Sequence, residues 1–428
     1  MTLSPPNLIK VLGAPLVVFA AVLGVLMAVN GGGAPSLPLS ADAGAPSGDA
    51  VADFQRAVRA APGSAPAYAG LGDAYLARAR ETGDPGFYSR AERSFDAALR
   101  RDAGDLGALV GAGTLAGLRH DFAEQLRLAR LAVAQAPELA RPYTVLADAQ
   151  IELGRYDEAA RSIQRLVDAK PGLASYSRAS YYRELSGDTA GAVEAMRLAT
   201  SAGGAPENVA YVGVLLGDLE LQRGRVQAAR LAYTAALRSL PGYPAGMVGL
   251  ARADTAGGAL GGAAARLRRA AALLPLTSTL ALQAQVERAL GNGAAADAAL
   301  GAARAQQQLY RAAATAPDAE AVLFEADFGS PQRAVALGRR VWRAAPSVRS
   351  ADALGWALTR SGRPGSGYAF AQRALRLGSR DAAFRLHAGI AAREAGLAAP
   401  AARHLAIAAE GRAALSPQAA ALLRKAEQ

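Results

Sequence analysis

Few side chains in this sequence have the types and spacing that catalysis or metal binding requires. The three histidines, His120, His387 and His404, form no pair at the i, i+4 spacing of a helical metal site, and no carboxylate cluster accompanies them. There is no cysteine, which excludes disulfides, thiolate nucleophiles and cysteine-based metal sites. We therefore predict no metal, no cofactor and no enzymatic activity.

Two other segments resemble catalytic motifs only superficially. The glycines between Gly111 and Gly117 lack the preceding strand and the following Lys-Ser/Thr of a phosphate-binding loop, so helix packing explains them better. An insertion at residues 81–89 (ETGDPGFYS) contains Asp84 and Tyr88, which would have to carry any enzymatic site there. No neighbouring residue provides a partner for either side chain, so an enzyme remains the least favoured of our hypotheses.

The positive charge is concentrated at the C-terminal end of the chain. The formal net charge is +11, and residues 331–428 contain sixteen Lys and Arg but only five Asp and Glu. Such a charge run is either a solvated face or a surface for anionic lipid head groups, an acidic polymer or an acidic partner. Most of these arginines fall on predicted second helices, which places them on the outer surface: Arg339, Arg340, Arg343, Arg373, Arg376 and Arg403.

The N-terminal segment has the length and composition of a membrane anchor. Val11 to Val29 is an uncharged stretch of nineteen residues, nearly enough for a helix to span the bilayer core. Lys10 lies before it and no positive charge follows closely, which predicts a cytoplasmic N-terminus. The alternative is a cleaved signal peptide, whose nearest small-x-small site is at residues 41–43. We assign residues 1–30 to the anchor and residues 31–49, rich in Gly, Pro, Ala and Ser, to a flexible linker.

From residue 50 onward the sequence repeats with a period of 34 residues. Pro137 and Pro171 are 34 apart, and Gly113, Ala147 and Tyr181 step by the same interval. Each repeat reads as two helices: a Leu-small pair in the first, a glycine turn, then alanine in the second and a closing proline. This register predicts stacked helical hairpins.

The pattern resembles the tetratricopeptide repeat family, most clearly at Tyr68-x-x-Leu71-Gly72-x-x-Tyr75 and Gly154-Arg-Tyr-Asp-Glu-Ala159. The resemblance covers residues 50–428 and implies an all-α, right-handed α-solenoid with a concave groove. It opens with an unpaired helix at residues 50–62 and ends in a capping helix that starts at Ser416 and Pro417. The seventh hairpin lacks its proline and should contain an over-long helix. About ten hairpins are expected to begin near residues 65, 106, 140, 173, 210, 244, 278, 315, 348 and 382.

In this family the first helix of each hairpin lines the groove, which the resemblance carries over to six residues of this chain. The aspartates also fit a solvated face, and the tryptophan is either an anchor for a partner or packs beneath the C-terminal helix. The predicted groove residues are Asp73, Asp148, Asp218, Arg349, Trp356 and Arg393.

These features favour a non-enzymatic protein-interaction scaffold on the extracytoplasmic face of a membrane. The alternative, from another class, is an accessory factor for export or assembly of a cell-surface polysaccharide, with the basic C-terminal repeats binding an anionic polymer. Nucleic acid is not expected, because the chain is predicted to be exported and lacks aromatic stacking platforms.

Overall fold

The computed structural model describes residues 50–428, so the predicted anchor and linker lie outside the described residues. The described part is all-α, with 22 α-helices and one short 3₁₀ turn at Arg412–Ala414. None of the helices within it is both long and apolar enough to cross a membrane. The helices are α1 Ala50–Ala60, α2 Ala65–Thr82, α3 Gly86–Arg101, α4 Leu106–Leu118, α5 Phe122–Gln135, α6 Ala140–Glu152, α7 Tyr156–Ala169, α8 Leu173–Leu185, α9 Thr189–Ser201, α10 Pro206–Gln222, α11 Val226–Ser239, α12 Pro244–Ala256, α13 Leu260–Leu273, α14 Thr277–Ala289, α15 Gly293–Ala312, α16 Ala319–Phe328, α17 Pro331–Ala344, α18 Val348–Arg360, α19 Pro364–Ala374, α20 Ala382–Glu394, α21 Ala398–Glu410 and α22 Pro417–Glu427.

Consecutive helices from α2 to α21 pack as antiparallel pairs, which gives hairpins 1 to 10 of the described chain. The predicted starts agree with the observed first helices. The largest differences are at hairpin 5, which begins at Pro206, and hairpin 8, which begins at Ala319. The paired packing is that of a tetratricopeptide-type solenoid, as the resemblance implied.

Polar caps and prolines explain where the helices begin. The carboxylate of Asp105 accepts a hydrogen bond from the Ala108 amide at 2.7 Å, and Asp381 does the same for Phe384 at 2.8 Å. Each satisfies one of the amides that a helix start leaves unpaired. At the C-terminal helix, Ser416 caps the Ala419 amide with Pro417 in the first turn, so a helix begins where the sequence predicted one.

The sequence departs from the regular repeat at hairpins 1 and 7, and the structure accommodates the two departures in different ways. The over-long helix of hairpin 7 is confirmed, because α15 runs for 20 residues. The insertion in hairpin 1 is not a long loop: α2 continues to Thr82 and α3 begins at Gly86, so the extra residues mainly lengthen the two helices.

The hairpins are wound so tightly that successive superhelical turns touch. The Ala316 amide donates to the Arg119 carbonyl at 3.0 Å, and the Val348 amide donates to the Tyr156 hydroxyl at 2.8 Å across 192 residues of sequence. Gly154 has a φ of +69°, and a Cβ there would lie 2.5 Å from the Pro346 carbonyl oxygen. The turn inside an early hairpin therefore packs against the start of a hairpin about six repeats later.

Candidate functional site

Asp148 and Arg178, on the first helices of hairpins 3 and 4, form a buried ion pair. Nε and Nη2 of Arg178 donate to the two carboxylate oxygens of Asp148 at 2.9 and 2.7 Å. The two side chains are only 4% and 6% exposed. Because a guanidinium and a carboxylate matched in this way satisfy each other's charge, the pair links two adjacent hairpins.

Asp218 takes the same position two repeats further on. Nη1 of Arg252, on the first helix of the next hairpin, donates to Oδ1 of Asp218 at 2.6 Å, and the Tyr233 hydroxyl donates to the same oxygen. All three side chains are buried. We call these two Asp–Arg pairs the concave ladder. Its aspartates are buried instead of solvated, which differs from the solvated-face interpretation.

Asp73 is more accessible and pairs over a longer distance. Nη2 of Arg141, on the first helix of hairpin 3, reaches past hairpin 2 to the Asp73 carboxylate at 3.2 Å. The Asp73 side chain is 29% exposed. Burial raises the pKa of Asp73 to about 6, although Arg141 and Arg80 favour its ionised form.

Arg349 joins two superhelical turns. Its Nη1 lies 3.7 Å from Oε1 of Glu152, which ends the first helix of hairpin 3, and both side chains are buried. Arg349 therefore contributes to the interior of the array in this structure.

Trp356, for which the sequence left open a partner anchor or packing beneath the C-terminal helix, packs inside the array. Its side chain is 2% exposed, its Nε1 donates to the Asp327 carboxylate at 2.9 Å, and its ring stacks on His387 with centroids 4.3 Å apart. Leu422 of the C-terminal helix belongs to the same apolar cluster. Burial opposes protonation of His387, yet the neighbouring carboxylates, Asp352 first among them, raise its pKa above the ordinary value.

Arg393 and the outer arginines reach solvent. Arg393 donates to the Lys425 carbonyl at 3.3 Å and is exposed at the end of α20. Six outer arginines are also exposed, and within residues 50–428 none of them forms an ion pair: Arg339, Arg340, Arg343, Arg373, Arg376 and Arg403. Of the six predicted groove residues, Arg349 lines a cavity on the inner side, and the structure brings no two of the six into one shared site. Partner binding at them stays a prediction.

A cavity of ≈ 220 Å³ opens on the inner side, and we call it the central cavity. Five first helices, α12, α14, α16, α18 and α20, line it together with the C-terminal segment around Leu415. Most of its wall is apolar, with Leu282, Leu323, Phe324 and Phe384 among the lining side chains. The first helices thus form the inner side of the array, as expected for this repeat.

Three acidic residues that the sequence analysis missed line the central cavity, Glu320, Asp327 and Asp352, and Glu320 differs from the other two. It lies in the first turn of α16 and also lines a second cavity of ≈ 90 Å³. Within residues 50–428 no group hydrogen-bonds or ion-pairs with its carboxylate. Burial raises its pKa to about 8, the Asp318 carboxylate adds to this, and Arg349 opposes it. Its position in the repeat register gave no signal, because the irregular end of hairpin 7 precedes it.

The partners of the ladder were also missed, although one of them had a signal in the sequence. Arg252 lies 34 residues after Asp218, one full repeat, which predicts neighbouring positions on successive first helices. In the part of the chain that the structure describes, no group of three or more His, Asp or Glu side chains could hold a metal ion.

Comparison with known proteins identifies one repeat. A tetratricopeptide repeat model matches residues 140–172, which contain α6 and α7, and no curated protein matches the sequence. Among solved structures, a human IFIT1 dimer with PPP-AAAA is 15% identical, with 76% of this chain and 77% of that chain covered and a TM-score of 0.47. The Cut9–Hcn1 hetero-tetramer of the APC/C is 16% identical, with 88% and 81% covered and a TM-score of 0.36. These similarities carry no information about ligands or partners of this chain.

Proposed function

We propose that this tetratricopeptide-repeat protein is a non-enzymatic scaffold that binds a partner protein on the concave side of a right-handed superhelix. The observation that carries the proposal is the stack of paired helices, one of whose repeats matches the family model. Arrays of this kind expose extended inner surfaces suited to binding. The central cavity opens on that side and has a mostly apolar wall, so we place partner contact there.

Affinity capture with the full-length tagged protein tests this proposal through two matched leucine variants. Leu323 lines the central cavity, whereas Leu231 is 70% exposed on the second helix α11. We expect Leu323→Asp to lose a partner that wild type captures and Leu231→Asp to retain it, with circular dichroism confirming that both variants stay helical. The reverse pattern would place binding on the outer surface, and no reproducible protein partner for wild type would refute the scaffold.

The location proposed for the scaffold is the extracytoplasmic face of a membrane, with residues 11–29 as an uncleaved anchor. The charge pattern around Lys10 supports this orientation. The test uses cells whose cytoplasmic membrane is intact and directly accessible to protease. Added protease should digest the repeats but leave a cytoplasmic marker protein uncleaved. Protection of the repeats in intact cells, with digestion after lysis, would contradict the proposed location.

A second candidate is binding of an anionic polysaccharide, which the exposed outer arginines without ion pairs favour. Cationic surfaces of this kind attract polyanions in a salt-dependent way. We expect alginate to bind the full-length protein at low salt, and combined alanine replacement of Arg393 and five of the outer arginines to abolish binding. Arg376 is kept, because it donates to the Gly154 carbonyl at 3.3 Å across superhelical turns. Arg349 is excluded from the test because its burial beside Glu152 would confound the result with unfolding. Absence of alginate binding at low salt would refute this candidate.

A further inference from the structure

We infer that the central cavity accepts an apolar partner segment bearing one arginine or lysine, whose cationic group pairs with the Glu320 carboxylate. This inference rests on the proposed scaffold function and specifies the chemistry of its partner. Three observations support it: the size of the cavity, the apolar wall and the distribution of charge among the residues that line it.

The size of the cavity suits side chains better than a cofactor. At ≈ 220 Å³ it falls below the range of about 300–1,000 Å³ typical of sites for small organic ligands. Its walls include Leu282, Leu323, Phe328 and Leu415, so an apolar side chain entering it would leave water for apolar contacts. One or two side chains of an extended segment fit this description.

The positive groups that line the cavity already have partners. Arg252 donates to Asp218 at 2.6 Å, and Arg349 lies 3.7 Å from Glu152. Arg252 is therefore not placed to neutralise a second carboxylate, and Arg349 favours the ionised form of Glu320 without forming an ion pair with it. An anionic ligand would have to compete with Asp218 or Glu152 for these arginines.

Two of the three lining carboxylates are also satisfied from within the chain. Asp327 accepts the Trp356 indole N–H at 2.9 Å, and Asp352 accepts from Nδ1 of His387 at 2.9 Å. Glu320 is the third, and within the described residues its carboxylate has neither a hydrogen bond nor an ion pair. Charge complementarity therefore favours a cationic group on the partner, placed beside the Glu320 carboxylate.

Glu320 also lies where a side chain bound on the concave side could reach its carboxylate. It borders both the central cavity and the smaller cavity next to Pro317 and Tyr310. Burial disfavours its ionised form and raises its pKa to about 8. A cation seated beside it would reverse that preference, because an opposite charge within a few ångströms favours the carboxylate.

Fluorescence anisotropy with two matched peptides tests the inference on the full-length protein. The probes are fluorescein-labelled Ser-Gly-Leu-Leu-X-Leu-Gly-Ser with X as arginine or as citrulline, its uncharged isostere. We expect the arginine peptide to bind about tenfold more tightly or better, since a charge-assisted bond is lost with citrulline. In Glu320→Gln the two peptides should bind with nearly equal affinity.

Glu394→Gln is the matched control, because Glu394 is an exposed acid at the end of α20 and does not line the cavity. It should keep the wild-type preference for arginine, and thermal melts should show that both glutamine variants fold. Equal binding of the two peptides by wild type would overturn the inference, as would a preference retained in Glu320→Gln or lost in Glu394→Gln.

The affinity capture described above separates this inference from the scaffold itself. A partner captured equally by wild type and Glu320→Gln would remove the role of Glu320 while leaving the scaffold intact. A wild-type protein that captures no partner would refute the scaffold, whatever the peptides do.

Discussion

Acidic side chains have different partners in two regions on the inner side of the array. One region is hairpins 3–6, and the other is the junction between hairpins 7 and 8. In hairpins 3–6 the concave ladder pairs Asp148 with Arg178 and Asp218 with Arg252. At the junction, Glu320 faces two cavities with no bonded partner among the described residues. The same kind of side chain is thus part of the framework in one region and available to a ligand in the other.

The packing of the two regions explains this difference. Regular repeats bring small side chains such as Ala229 and Ala263 to helix crossings at 0% exposure, so successive first helices lie close enough for ion pairs. At the junction, α15 continues for 20 residues and Phe324 and Phe328 lie between the neighbouring hairpins. Regular packing pairs the charged groups inside the array, whereas the interruption leaves both a cavity and a carboxyl group with no bonded partner among the described residues.

The largest effect should come from breaking the ladder with Arg178→Ala. This change leaves the buried Asp148 carboxylate without a counter-ion, and removing one partner of a buried pair typically costs about 3–5 kcal/mol. Urea denaturation followed by circular dichroism measures the loss. Arg127→Ala is the control, because Arg127 and Glu124 form an exposed pair whose removal should cost at most about 0.5 kcal/mol. Equal losses for both variants would mean that the ladder is not a stabilising feature.

A smaller but localised effect is expected for Phe324→Ala at the junction. Phe324 is buried against Leu280, Leu300 and Ala303, and truncation of such a side chain costs about 3 kcal/mol. Hydrogen exchange should accelerate in α15 and α16 and remain unchanged in α6 to α12, because the ladder does not depend on this contact. Uniform acceleration along the chain would show that the two regions unfold as one unit.

Much of this comparison could be predicted from the sequence, since hairpins depend on local patterns. The prolines, the turn glycines and the alanine positions predicted the paired helices, and the absence of a proline after hairpin 7 predicted the long α15. Contact between superhelical turns could not be predicted. This contact depends on small rotations accumulated over about six hairpins. The residues near Tyr156 in the sequence therefore do not indicate that it contacts Val348. The burial of Trp356 could not be predicted either, because it depends on Asp327, His387 and the C-terminal helix packing around it.

Glu320 should also make stability depend on pH. Burial raises its pKa in the folded protein to about 8 from an ordinary 4.5, so between these values the folded state holds a proton that the unfolded state releases. Stability is therefore expected to fall by ~2 kcal/mol as pH rises through this window and to level off above it, with partial exposure limiting the size. Arg349 acts against this trend and Asp318 adds to it.

Comparison with Glu320→Gln isolates this contribution, because glutamine does not titrate. Urea midpoints of the two proteins measured from pH 5 to pH 9 should diverge as pH rises, with the variant becoming relatively more stable. Parallel curves would show that the Glu320 carboxylate is solvated like an ordinary surface acid. The electrostatic difference between Glu320 and the aspartates of the concave ladder would then be refuted.

The smallest effect expected concerns the closure that both regions share. In Tyr156→Phe the Val348 amide at the start of α18 loses its hydroxyl acceptor, which should cost about 1 kcal/mol. Tyr182→Phe serves as the control, because within the described residues the Tyr182 hydroxyl makes no hydrogen bond and its loss should be near neutral. The loss in Tyr156→Phe should appear as faster hydrogen exchange at the amides that begin α18, next to the central cavity. If instead both variants match wild type, contact between superhelical turns contributes little, and the ladder and the junction hold their shapes independently.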